Sequence, residues 1–218
     1  MTRQEILKNA KPILFNTEMV MAILDGRKTV TRRVVKVPNY YPHFYKLHDN
    51  TDGAITGQKN RLYAGFYNDE KIFYIDGEKL VDAVYYKAPC KTGDILYVRE
   101  TWGEGYEEGS YIYKADDKLA NLPEFKESSK LIYHPSIHMP KEAARIFLKV
   151  TNVCVERLQD VRYMDCIREG ILYKQIERDI ISGFSKTWDS TIKKSDINRY
   201  GWDANPWVWV IEFERIEV

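Results

Sequence analysis

Hydrophobic positions change period several times along the chain, and each change marks an element. Residues 11–15 form a short apolar run closed by Asn16-Thr17-Glu18, where Asn16 or Thr17 offers a side-chain oxygen to the first unpaired amides of a helix. Met19, Val20, Ile23 and Leu24 recur at helical spacing, and Gly26 stands where a left-handed cap ends the turn. Residues 28–37 read as a strand of β-branched residues with interleaved charges. The stretch 38–87 is rich in tyrosine, and Asp76-Gly77 predicts a hairpin turn between the runs 71–75 and 80–86. Residues 95–102 predict a core strand, 103–109 a loop, 111–114 another strand, and the proline-bearing 115–140 an irregular segment that serves as loop or lid.

Alternation over 144–158 predicts a long strand, 164–168 a helix stopped by Gly170, and 176–191 contains a second helix. The chain closes on a strand over 206–218, with Trp207, Trp209, Ile211 and Phe213 on one face. There is no repeat and no low-complexity tract. Antiparallel strands dominate and helices are few, so the fold class is α+β, a mixed, barrel-like sheet in one domain spanning 1–218.

With 44% hydrophobic and 30% charged residues, this length supports a core without staples. The 33 Lys and Arg against 32 Asp and Glu leave no whole-molecule field to recruit nucleic acid or membrane, so any phosphate attraction is local. Cys90, Cys154 and Cys166 are odd in number and lack a C-x-x-C pair, which reads as buried thiols rather than a disulfide framework or zinc knuckle. Residues 1–10 lack the apolar core of a signal peptide and no run reaches the roughly 18 apolar residues of a membrane span; the expectation is a cytoplasmic protein with no membrane partner. His43, His48, His134 and His138 show no metal-ligand spacing, so neither metal nor other cofactor is implied.

Gly26-Arg27-Lys28-Thr29-Val30-Thr31-Arg32-Arg33, after a short helix, resembles the ASCH-domain signature G-x-K-x-x-E-x-R. Gly26, Lys28 and Arg33 match; Thr31 replaces the acidic residue, and Lys-x-x-Thr is similar to the small ASCH amidohydrolases that cleave N4-acetylcytidine. Residues 93–102, GDILYVRETW, and 205–213, NPWVWVIEF, are similar to strands of larger ASCH proteins, many of them phage-encoded. The resemblance implies a PUA-like, mainly antiparallel β-barrel with a few short helices, and leaves 38–87, with its β-hairpin, and 115–140 as insertions. It implies a cleft for a nucleobase-type ligand, and as partner a nucleoside-type small molecule or RNA.

By the same resemblance Thr31 is the nucleophile, Lys28 its base and Glu169 the group that orients Lys28 or passes a proton to the leaving amine. Arg33 holds the loop or the developing oxyanion. A lysine serves as base when burial or neighbouring cations keep it neutral part of the time, and Arg27, Arg32 and Arg33 crowd Lys28. Strict strand alternation sets Lys28 and Thr31 on opposite faces, so they converge only if the backbone turns or bulges after Gly26.

Bland readings compete. The 28–33 cluster also suits a solvated edge strand, where lysine and arginine discourage aggregation. Trp102, Trp202, Trp207 and Trp209 offer faces for a base, but tryptophans in apolar strands more often pack the core. Asn205, beside Pro206, is the better candidate to read a base edge. Three functions follow: a hydrolase of an acylated nucleoside or similar amide, a non-catalytic RNA-binding module, or a ribonuclease of the same superfamily.

Overall fold

The computed structural model describes residues 2–37, 42–50, 61–68, 70, 72–75, 78–105, 107–116, 132–171 and 177–218. Five α-helices are described, α1 (Arg3–Asn9), α2 (Thr17–Leu24), α3 (Tyr163–Arg168), α4 (Glu177–Thr191) and α5 (Ile197–Tyr200). The strands are β1 (Lys11–Leu14), β2 (Val30–Val34), β3 (His43–Asn50), β4 (Arg61–Tyr67), β5 (Ile72–Ile75), β6 (Glu78–Val81), β7 (Val84–Lys87), β8 (Ile95–Arg99), β9 (Trp102–Glu104), β10 (Tyr111–Tyr113), β11 (Phe147–Arg157) and β12 (Trp207–Ile216).

A five-stranded sheet ordered β1-β8-β11-β12-β2 carries the molecule; β1 pairs with β8 in parallel and the other neighbours are antiparallel. Its centre follows from the alternation of β12. Trp207, Trp209, Ile211 and Phe213 pack into the larger core, while Val208 and Val210 pack on the other face with Phe184 and Trp188 of α4. Where β12 is buried on both faces, over 208–211, it is apolar throughout. Thr151 falls at a register shift between β11 and β12, a bulge that bends the long pair.

The residues expected to be an insertion build part of this core. The three-stranded sheet β3-β4-β7 buries Phe66 completely, with its ring 5.8 Å from Trp207. β5 and β6 pair from Ile72↔Val81 to Ile75↔Glu78; the expected turn residues Asp76 and Gly77 lie outside the described residues, as does 117–131 of the expected lid.

Several boundaries differ from expectation for local reasons. The strand over 28–37 begins only at Val30, because the Lys28 amide still bonds the Ala22 carbonyl of α2 at 2.9 Å. The run 80–86 divides into β6 and β7. Residues 103–109 are not all loop, since β9 pairs with β10. α1 is an unexpected helix, secured by a capping box in which the Thr2 amide donates to Glu5 Oε2 at 2.7 Å.

The expected barrel is not closed. β1 and β2 are the two edges of the five-stranded sheet, and no ladder joins them among the described residues. Instead the Arg33 side chain spans the seam, Nη2 donating to the Leu14 carbonyl at 3.0 Å. No helix among the described residues is long and apolar enough to cross a membrane.

Candidate functional site

The seam between β1 and β2 opens into a cavity of about 350 Å³ whose lining includes Lys28, Thr31, Arg33, Glu169, Phe184 and Trp188. Two glycines bring the charged groups there. Asn16 caps α2 by accepting from the Met19 amide at 2.8 Å, and Gly26, at φ +73°, turns the chain back at the other end. The Arg27 and Lys28 amides then share the Ala22 carbonyl, and the Lys28 side chain enters the interior. Gly170, at φ +91°, ends α3 against α2 so closely that an added Cβ would lie 2.8 Å from Ala22 Cβ and 3.3 Å from Lys28 Cβ. That approach sets Glu169 beside Lys28.

Lys28 Nζ donates to Glu169 Oε2 at 2.6 Å, to the Glu169 carbonyl at 2.8 Å and to the Val30 carbonyl at 2.8 Å. Burial depresses its pKa below the ordinary lysine value; Glu169 opposes that shift, and Arg33 and Arg32 add to it. The other Glu169 oxygen accepts from Arg32 Nη1 at 3.2 Å. Arg32 is buried in β2 and also pairs with Glu156 at 2.7 Å. Burial works against its charge, but Glu169 and Glu156 outweigh that and raise its pKa above the ordinary arginine value. Thr31, 1% exposed, accepts through Oγ1 from Arg33 Nη1 at 2.7 Å.

The alternation problem resolves at the sheet edge. Thr31 and Arg33 stand over Ile211 and Trp209 on one face of β2, and Arg32 over Val210 on the other, yet all three line the same cavity. An edge strand can be approached from its side, and Lys28 reaches that side from the turn before the strand. The carbonyls of Val30 and Arg32 point the same way, each accepting from a cation. In an antiparallel strand N–H and C=O of one residue point together, so the Arg32 amide also faces the open edge.

Of the residues singled out from the sequence, Lys28, Thr31, Arg33 and Glu169 meet at this cavity, and Gly26 shapes the turn that delivers Lys28. Asn205 and Trp102 do not line it. Asn205 adopts a left-handed conformation before β12, accepting from the Gln159 amide at 2.8 Å through its side chain and from Arg157 through its carbonyl. Trp102 packs in a third core with Tyr111 and His134. Arg32, Phe184 and Trp188 were not singled out as site residues. The last two form the apolar stripe of α4 at helical spacing, a pattern that signals burial before it signals a site.

Among the described residues no group of three His, Cys, Asp or Glu is placed to hold a metal ion. Comparison with protein-family models, with curated proteins and with solved structures finds no match.

Proposed function

We propose that the chain is an ASCH-like hydrolase of an acylated nucleoside or similar small amide, its sheet a PUA-like barrel opened along the β1–β2 seam. The observation that carries this reading is the meeting of Lys28 and Thr31 with Glu169, 141 residues after Lys28, at one cavity with an aromatic wall. Phe184 and Trp188 supply apolar surface for a base.

The proposed chemistry assigns each of these groups a step. Lys28 Nζ has three acceptors, the arrangement of an ammonium, so it must first give a proton to Glu169 Oε2, 2.6 Å away. Its depressed pKa favours that transfer. The neutral amine then takes the Thr31 hydroxyl proton as Oγ1 attacks the acyl carbon. The Arg32 amide and Arg33 guanidinium stabilise the developing oxyanion. On collapse the C–N bond breaks and the leaving amine takes its proton from Lys28. Glu169 then returns its proton to Lys28 and, as a carboxylate again, takes a proton from the water that attacks the acyl-threonine, while Thr31 Oγ1 leaves with a proton from Lys28. General acid–base help of this kind is worth roughly 100- to 10,000-fold, about 3 to 5 kcal/mol.

The test is acetate release from N4-acetylcytidine by the full chain. Thr31→Val abolishes it, Lys28→Met lowers it at least about a hundredfold, and both keep the native circular dichroism spectrum. Turnover unchanged in either folded variant refutes the mechanism. A second reading, non-catalytic binding of a nucleobase in RNA, is favoured by the complete satisfaction of Lys28 by fixed partners; salt-sensitive RNA binding without acetate release supports it.

A further inference from the structure

Across the Arg33 guanidinium from the Lys28 cavity lies a larger one, of about 530 Å³, also lined by Leu14, Arg33 and Val34. Its wall is largely apolar, with Ile13, Leu96, Trp209 and Ile211 contributing, and its size is that of an ordinary small-molecule site. Arg33, Lys36, Lys87 and Arg99 also line it, and among the described residues no aspartate or glutamate does. In a chain whose cations and anions nearly balance, this is a local excess of one sign. Arg33, Lys36 and Arg99 enter no ion pair among the described residues. Arg99 donates through Nη2 to the Ile137 carbonyl, while its Nε is buried with no acceptor among the described residues. A buried donor without a partner is unfavourable, and a bound acceptor relieves it. Burial lowers the Arg33 pKa, offset in part by Glu169, and an anion placed beside it acts in the offsetting sense.

We propose that this cavity is a second ligand site, for a small molecule that joins an apolar ring to a phosphate group, of the class of nucleoside monophosphates. The ring lies against Trp209, Leu96 and Ile13, and the phosphate meets Arg33, Lys36 and Arg99. A neutral nucleoside satisfies only the apolar wall, and inorganic phosphate only the cations. The site is separate from the amidase reading, which concerns the smaller cavity and needs no phosphate. The two communicate through one side chain. Arg33 donates to Thr31 Oγ1 on one side, so an anion that draws the guanidinium toward itself competes with that hydrogen bond.

Isothermal titration of the full chain with cytidine 5′-monophosphate, cytidine and inorganic phosphate tests the proposal. The monophosphate binds at least about tenfold more tightly than either fragment and weakens with added salt. Lys36→Gln, at an exposed position, and Arg99→Gln each lower its affinity roughly tenfold. Lys28→Met leaves it within about twofold, and Lys28→Gln takes that place should the first variant not fold. Equal affinity for cytidine and its monophosphate overturns the proposal, as does indifference to Lys36→Gln. Loss of binding in the Lys28 variant alone assigns the phosphate to the smaller cavity and likewise overturns it. Tighter binding of an oligoribonucleotide than of the monomer, with a steep salt dependence, identifies a polymer surface instead. Acetate release is scored separately, so failure of the amidase reading leaves these outcomes interpretable.

Discussion

Replacing Gly170 by alanine attacks the junction that creates the site while removing no charged group. The new methyl arrives 2.8 Å from Ala22 Cβ and 3.3 Å from Lys28 Cβ, on a backbone held at φ +91°. The positive φ costs an L-residue about 1–2 kcal/mol, and crowding in a packed interior adds roughly 1–3, giving about 2–5 kcal/mol of destabilisation. The two contributions separate in a double-mutant cycle with Ala22→Gly. Ala22→Gly alone costs about 1 kcal/mol as a helix-interior glycine. In combination the crowding against Ala22 vanishes and only the backbone contribution and the looser Lys28 contact remain. The cycle should therefore show about 1–2 kcal/mol of favourable coupling. Urea unfolding followed by tryptophan fluorescence measures all four proteins. A cost below about 0.5 kcal/mol for Gly170→Ala, or additivity within the same margin, refutes the claim that this close approach positions Glu169.

Three further outcomes follow from buried charge and burial. Glu169→Ala strands the Lys28 and Arg32 cations that share its carboxylate, and should cost about 3–5 kcal/mol in urea unfolding; a loss under about 1 kcal/mol contradicts the pairing. Arg145 grips Glu100, itself 1% exposed, through two bonds of 2.9 Å, so Arg145→Ala should cost a similar amount. Burial already raises the Glu100 pKa against the pull of Arg145, so without Arg145 the stability gap to the parent should narrow as pH falls and Glu100 protonates; a gap independent of pH contradicts this. Burial, with Asp94 adding, pushes the Cys90 thiol from 9.0 to about 12. A raised folded value means that the folded state keeps a proton the unfolded chain releases. The stability it contributes is complete below pH 9.0 and is lost toward pH 12, with a slope of up to about 1.4 kcal/mol per pH unit. Cys90→Ala should flatten that alkaline decline, and an unchanged slope counts against it.

What could be read from the chain was whatever local physics writes there. Asn16 and Gly26 bracket α2, Gly170 stops α3 and so sets Glu169 at a helix end, and the alternation of Trp207, Trp209, Ile211 and Phe213 gave the inward face of β12. α1 had a local mark too, the Thr2-x-x-Glu5 pattern, which the charged composition of residues 1–10 obscured. The site was half legible. Lys28 and Thr31 looked incompatible on a strand because nothing local shows that β2 is an edge strand beginning only at Val30. Arg32 looked like a solvated charge, since its carboxylate partners Glu156 and Glu169 lie 124 and 137 residues away. Phe184 and Trp188 carried the signal of any amphipathic helix, and whether such a stripe covers a core or walls a cavity depends on what faces it.

The guanidinium strut between β1 and β2 gives the molecule a weak line. Two laddered neighbours are tied by several backbone bonds at once, whereas among the described residues these two borders are tied by side chains: the Arg33 bond to the Leu14 carbonyl, on the order of 1 kcal/mol, and the guanidinium 5.2 Å from the Phe15 ring. Four ladders of the five-stranded sheet stay whole while the gap widens. The two cavities that share the Arg33 guanidinium therefore sit where the sheet is least held by backbone pairing.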